Sequence, residues 1–132
     1  MKVVARRLQG YAHEIEIEGG HTIVVDEPRL SGGTETGPSP GRLLAASLAS
    51  CTAVTMEIYA ERKEWDIGAV EVEVDATYDG HVPTAFDVTV RLPAGLSEEQ
   101  REHLLAVASK CPVHRALSGE TTVSISDRVE VL

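Results

Sequence analysis

The chain has only two cysteines in 132 residues and is short of positive charge, with 12 Lys and Arg against 21 Asp and Glu, a net charge of −9. The acidic excess offers no positive face to nucleic acid or to an anionic membrane. No apolar run follows a basic start at the N-terminus, so no secretory leader is expected. The one long uncharged run, between Arg42 and Glu57, is diluted by Ser, Thr and Ala and is read as too short to span a bilayer. Gly32-Gly33 lacks the strand-to-helix context of a phosphate loop. Cys111-x-x-His114 has ligand-like spacing, but no second Cys/His pair answers it, which speaks against zinc. His13, His21, His81 and His103 stand alone and read as solvated surface residues. There is no internal repeat and no low-complexity tail. These absences point to one soluble, cytoplasmic domain over residues 1–132, long enough to bury a core. In a reducing compartment, a bond between two cysteines is of the transient, catalytic or sensing kind rather than structural.

Residues 2–8 suit a short strand. Residues 13–17 alternate polar and apolar, Gly19-Gly20 signals a hairpin, and residues 21–26 return as a third strand. The Gly-, Ser-, Thr- and Pro-rich stretch from Pro28 to Pro40 reads as an ordered functional loop, because folding elements flank it closely. Ser39-Pro40 is a helix start, with Ser as N-cap and Pro in the first turn. The helix is predicted to run to Lys63, about 24 residues and roughly 36 Å. A compact domain of this length has a radius of gyration of only about 14 Å. The middle of this helix is apolar on nearly every face and must be covered all round, which favours a second subunit. Val70 to Tyr78 and Ala85 to Leu92 alternate on either side of Asp79-Gly80 and predict an antiparallel hairpin, with Val72, Val74, Phe86, Val88 and Val90 inward. Ser97-Glu98-Glu99-Gln100 is a capping box for a helix whose apolar face is Leu104, Leu105 and Ala108. Cys111-Pro112 starts a short helix ending at Gly119, and Thr121 to Ser126 is predicted as a last strand.

The two thiols differ in setting. Cys111 opens Cys111-Pro112-Val113-His114-Arg115, a helix start. Free amides and the macrodipole there favour a thiolate, the form that attacks peroxides and disulfides. His114 and Arg115 stand close by in sequence. Cys51 lies mid-helix among apolar residues, where burial disfavours the anion, so as a nucleophile it needs a basic partner from elsewhere in the fold. Packing alone accounts for Cys51 as a small hydrophobe, and Cys111 can equally be a helix-start residue without chemistry. Local sequence leaves open which thiol attacks.

Gly37-Pro38-Ser39-Pro40-Gly41-Arg42-Leu43-Leu44-Ala45-Ala46-Ser47-Leu48-Ala49-Ser50-Cys51-Thr52-Ala53, followed by Tyr59-Ala60-Glu61-Arg62-Lys63, resembles the central helix of the OsmC/Ohr family. Lys110-Cys111-Pro112-Val113-His114-Arg115-Ala116-Leu117 resembles that family's second cysteine motif, and the order of elements agrees. The resemblance implies an α+β fold with antiparallel sheets around a long central helix, assembled as an intertwined homodimer. It implies a thiol-dependent peroxidase for organic hydroperoxides. Cys51 would be the peroxidatic nucleophile, and Cys111 would resolve its sulfenic acid as a Cys51–Cys111 disulfide. An external dithiol, a lipoyl-type group or another small thiol, would be the reductant, with no metal or organic cofactor. The apolar residues Leu44, Leu48, Val54 and Met56 would suit a fatty or aromatic peroxide.

The chain departs from the family pattern in two respects. The family sets an arginine near the first hairpin against the thiolate and a glutamate one turn into the central helix. Here the hairpin reads Leu8-Gln9-Gly10-Tyr11 and the helix start reads Gly41-Arg42. Arg6, Arg7 or Arg29 is then the substitute from the strands, and Arg42 a candidate cation on the helix, with His114 beside Cys111 as a further supporting group. The departure also supports a second reading, a non-catalytic or redox-sensing stress protein or binding dimer.

Overall fold

The computed structural model describes residues 1–132. The elements run β1 (Val3–Gln9), β2 (Ala12–Ile17), β3 (His21–Val25), a 3-10 turn (Arg29–Ser31), α1 (Pro40–Arg62), β4 (Glu71–Asp79), β5 (Val82–Arg91), α2 (Glu98–Ala108) and α3 (Pro112–Leu117). Strands β1, β2 and β3 form an antiparallel sheet in that order, with Ile15 opposite both Ala5 and Ile23 and a bulge between Arg7 and Gln9. Strands β4 and β5 pair through the two-residue connection Gly80-His81, which only an antiparallel pair permits. The α+β class, the antiparallel sheets and the long helix agree with the sequence reading.

The chain forms two compact units. One comprises Met1–Ala46 and Ala76–Phe86, and the other Ser47–Asp75 and Asp87–Leu132. In the first, β1 to β3 bury little beyond Ala12, Val25 and Asp26. Asp26 organises the Pro28–Pro40 loop. Its carboxylate accepts the N–H groups of Glu27, Thr34 and Thr36 and the hydroxyls of Thr34 (2.6 Å) and Thr36 (2.9 Å). Glycine is required at Gly37, where a Cβ would overlap the Val24 carbonyl.

The second unit holds the core. Met56, Ala60, Ile67, Leu96, Leu104 and Ala108 are buried together, with Trp65, Val72 and Val90 packed against them. Helix α1 turns the stripe Leu48, Thr52, Met56 and Ala60 inward, at the four-residue spacing of one helix face. Its start is capped as expected, the Ser39 hydroxyl accepting the Arg42 N–H at 3.3 Å. The capping box of α2 is complete, with Ser97 and Gln100 each satisfying the other's backbone N–H. Trp65 lies edge-on to Tyr59 and stacks on His103, which is exposed at the surface as its sequence setting implies.

Five expectations are corrected. Strand β5 begins at Val82 rather than Ala85, because the tight turn lets pairing start at once. Val88 is exposed rather than inward. Leu105 is 60% exposed, because only one of two adjacent leucines can face the core from one helix, and Leu104 does. Val54, expected beside Leu48 and Met56, is exposed on the opposite side of α1 from their stripe. Thr121 to Ser126 forms no strand, since within one chain no edge pairs with it. A further difference concerns α1 itself. By length and composition its 23 residues suffice to cross a bilayer, and only 22% of its most apolar stretch is buried within the chain.

Candidate active site

Both cysteines are free thiols and lie in the second unit. Cys51 is half-buried on α1, and the next residue, Thr52, is 1% exposed on the inward stripe. Cys111 is completely buried, at the N-cap of α3. Its backbone is extended (φ −61°, ψ 148°), and Pro112 supplies the first helical residue, where a missing N–H is harmless. The Cys111 Sγ stands where a serine or aspartate oxygen usually caps a helix and accepts the His114 N–H at 3.3 Å. The expected helix-start thiol is therefore present.

The two cysteine motifs meet at Thr52. Its Oγ1 is 3.7 Å from the Cys111 Sγ and also donates to the Leu48 carbonyl at 2.8 Å. The buried Cys111 thiol thus touches the residue that follows Cys51 in sequence. His114 supplies its backbone N–H to the sulfur, while its ring Nδ1 is buried without a hydrogen-bond partner. Arg115 is turned away to Glu120, at 3.4 Å.

The arginines proposed as supports lie in the first unit. Arg42, in the first turn of α1, is 3.7 Å from the Glu35 carboxylate and is exposed. Arg7 donates from Nε to the Gly10 carbonyl at 3.0 Å, and Arg6 pairs with Glu16 at 2.6 Å. Arg29 sits in the 3-10 turn. An open cavity of about 410 Å³ lies beside Arg42, lined also by Glu27, Ser39, Gly41, Tyr78 and His81. A Cβ at Gly41 would come within 2.8 Å of the Tyr78 hydroxyl, so any larger residue there would need Tyr78 to move.

Two residues escaped the sequence reading. Thr52 is silent because its partner is 59 positions away. Asp26 had a weak signal, an acid ending an apolar strand ahead of Thr34 and Thr36. Its carboxyl is held well below the ordinary carboxylate range, chiefly by the Thr34 hydroxyl. Burial opposes this, and the Thr36 hydroxyl and the N–H groups of Thr36 and Glu27 add to it. No three His, Cys, Asp or Glu side chains converge in the manner of a metal site.

Comparison with known proteins agrees with this architecture. Residues 32–126 match the family model described as OsmC-like protein. An uncharacterized protein of Haloferax volcanii is 30% identical over 97 residues, covering 70% of this chain and 72% of that protein. The OsmC-like protein of Mycoplasma pneumoniae shares the fold, with a TM-score of 0.77 at 18% identity over 89% of this chain and 86% of that one. The organic hydroperoxide resistance protein OhrB of Bacillus subtilis superposes with a TM-score of 0.57 at 28% identity, over 89% of this chain and 90% of that one.

Proposed function

The chain belongs to the OsmC-like protein family, and from that premise we propose that it is a thiol-dependent peroxidase for organic hydroperoxides, acting in the cytoplasm. The Cys51 thiolate attacks the terminal peroxide oxygen. The O–O bond breaks, the alkoxide leaves and takes up a proton as the alcohol, and Cys51 becomes a sulfenic acid. The Cys111 sulfur then attacks the Cys51 sulfur, and water leaves as the Cys51–Cys111 disulfide forms. A thiolate of an external dithiol opens that disulfide, and its second thiol completes the exchange. The observation that carries this reading is the 3.7 Å approach of the Cys111 Sγ to Thr52, the residue next to Cys51. Similarity to the hydroperoxide resistance protein of Bacillus subtilis supports the substrate class.

We propose further that the working form is a homodimer. The apolar helix α1 is mostly uncovered within one chain, and Val54 and Ile58 lie exposed on it. The C-terminal run Val123, Ile125, Val129, Val131 alternates as a strand does, yet is exposed throughout. A second copy is the surface that covers both. Arg42 and Arg7 are the cations we propose as supports for the Cys51 thiolate, and His114 supports Cys111 through its N–H.

The test is consumption of cumene hydroperoxide with a dithiol, joined to peptide mass mapping after one equivalent of peroxide. Wild type turns over and yields the Cys51–Cys111 bridge. Cys51→Ser consumes no peroxide, and Cys111→Ser consumes about one equivalent and stops at the sulfenic acid unless dithiol intercepts it. Arg42→Ala and Arg7→Ala each slow the first step if they serve the thiolate, and leave it unchanged otherwise. One observation favours the second reading, a non-catalytic or redox-sensing binding dimer: both arginines are already engaged, with Glu35 and with the Gly10 carbonyl. Absence of turnover in wild type, with the bridge still forming, selects sensing.

A further inference from the structure

The buried hydroxyl of Thr52 has two partners. It donates to the Leu48 carbonyl at 2.8 Å and lies 3.7 Å from the Cys111 Sγ, with Thr52 and Cys111 both sealed from solvent. A hydroxyl has one proton and two lone pairs. With its proton on Leu48, the oxygen is free to accept the Cys111 S–H. If the sulfur becomes an anion, the hydroxyl can rotate and donate to it instead. That rotation orphans nothing, because in an α-helix the Leu48 carbonyl also accepts the Thr52 backbone N–H. The His114 N–H already points at the same sulfur, at 3.3 Å. A thiolate on Cys111 would therefore meet two hydrogen-bond donors in a site sealed from water.

Resting on the peroxidase reading above, we propose that Thr52 is a positioning residue for Cys111: its hydroxyl accepts from the thiol, donates to the thiolate, and so speeds the step in which Cys111 leaves the disulfide. In that step a thiolate of the external dithiol attacks the Cys51 sulfur. The Cys51–Cys111 bond breaks and its electron pair departs on Cys111, while the reductant sulfur becomes half of a mixed disulfide with Cys51. The second thiolate of the reductant then attacks its own sulfur in that mixed disulfide, releasing Cys51 as thiolate and leaving the reductant oxidised. The leaving sulfur gains negative charge in the first of these exchanges, and the Thr52 hydroxyl stabilises that charge as it develops. The peroxide step puts no charge on Cys111, so Thr52 has no part in it.

The experiment separates the half-reactions in the full-length protein, with dithiothreitol as the reductant and cumene hydroperoxide as the oxidant. Thr52→Val and Thr52→Ala remove the hydroxyl, and Thr52→Ser keeps it. In both deletion variants the rate of reduction of the preformed disulfide falls about tenfold or more, the size of one hydrogen bond to a charged group. The rate of peroxide consumption in the first turnover stays within about twofold, and Thr52→Ser restores reduction. A residue that merely packs would lower stability without dividing the two rates in this way. If Val will not fold at this buried site, Ala supplies the same comparison. Equal reduction rates in Thr52→Ala and Thr52→Ser overturn the proposal and leave the peroxidase reading standing. Failure of wild type to form the bridge overturns both and is visible before any variant is compared.

Discussion

The Thr34 hydroxyl donates to the Asp26 carboxylate at 2.6 Å, across eight residues of a loop with almost no regular structure. Thr36 does the same at 2.9 Å, and three backbone N–H groups complete the set. One buried acid thus substitutes for the periodic hydrogen bonds that the loop lacks. Its consequence is a definite pH dependence. The folded-state pKa lies below the ordinary value of 3.8, so Asp26 contributes stability at all pH above that value. The contribution declines as pH falls below 3.8 toward the folded-state value. Asp26→Asn places an amide among donors and lowers Tm by more than about 5 °C at pH 7. The gap from wild type is constant between pH 5 and 7 and narrows below pH 4. Thermal melts of both proteins across that range check it, and a gap that widens on acidification contradicts the assignment.

Cys111 caps a helix with a sulfur, a weak acceptor. Serine is a strongly preferred N-cap. Its hydroxyl can take the same His114 N–H, so Cys111→Ser is expected to stay within about 1 kcal/mol of wild type. Alanine removes the cap and leaves the N–H without its partner, so Cys111→Ala costs about 1–2 kcal/mol more than Cys111→Ser. Urea unfolding of the two variants under reducing conditions measures the difference. The result also shows that lost turnover in Cys111→Ser is a chemical effect and not unfolding.

Met56 and Leu104 are both fully buried in the core of the second unit, on α1 and α2. Truncating either to alanine removes buried methylene groups and leaves a cavity, at a cost of about 2–5 kcal/mol. Leu105→Ala, one residue away and exposed, costs less than about 1 kcal/mol. Equilibrium denaturation of Leu104→Ala beside Leu105→Ala is the sharpest check, because the two differ only in the direction their side chains face.

What could be read from the sequence was what neighbouring residues decide. The alternation of Val72, Val74 and Ala76, the Ser97–Gln100 box, the Ser39-Pro40 start and the Cys111-Pro112 start all act within a few positions, and each stands where expected. What stayed hidden depends on partners far along the chain. Thr52 is a plain helix residue until Cys111 arrives beside it, and Asp26 is a strand end until Thr34 and Thr36 fold back over it. Thr121 to Ser126 failed for the same reason in reverse, since its alternation is real but a strand exists only with an edge to pair. The placement of Arg42 was legible, and its pairing with Glu35 was not, because Glu35 reaches it from a loop residue with a positive φ of 55°.

Val54 and Ile58 stand four residues apart on α1, hence on one face, and are 49% and 45% exposed. If a second copy covers this face, twofold symmetry buries each residue twice, and every substitution acts on both sides of the interface at once. Full burial of such a side chain is worth about 1.5–3 kcal/mol. Replacing Val54 and Ile58 together by glutamate also opposes like charges across the axis, in a chain already at −9. The double variant is therefore expected to raise the dimer dissociation constant at least about a hundredfold. At micromolar concentration it sediments as a monomer, while Leu105→Glu, on an exposed residue of α2, sediments as wild type does. Sedimentation velocity across a concentration series reads this directly. A wild-type protein that is monomeric throughout the series ends the dimer reading, and leaves the exposed face of α1 to be covered by something other than a second copy of this chain.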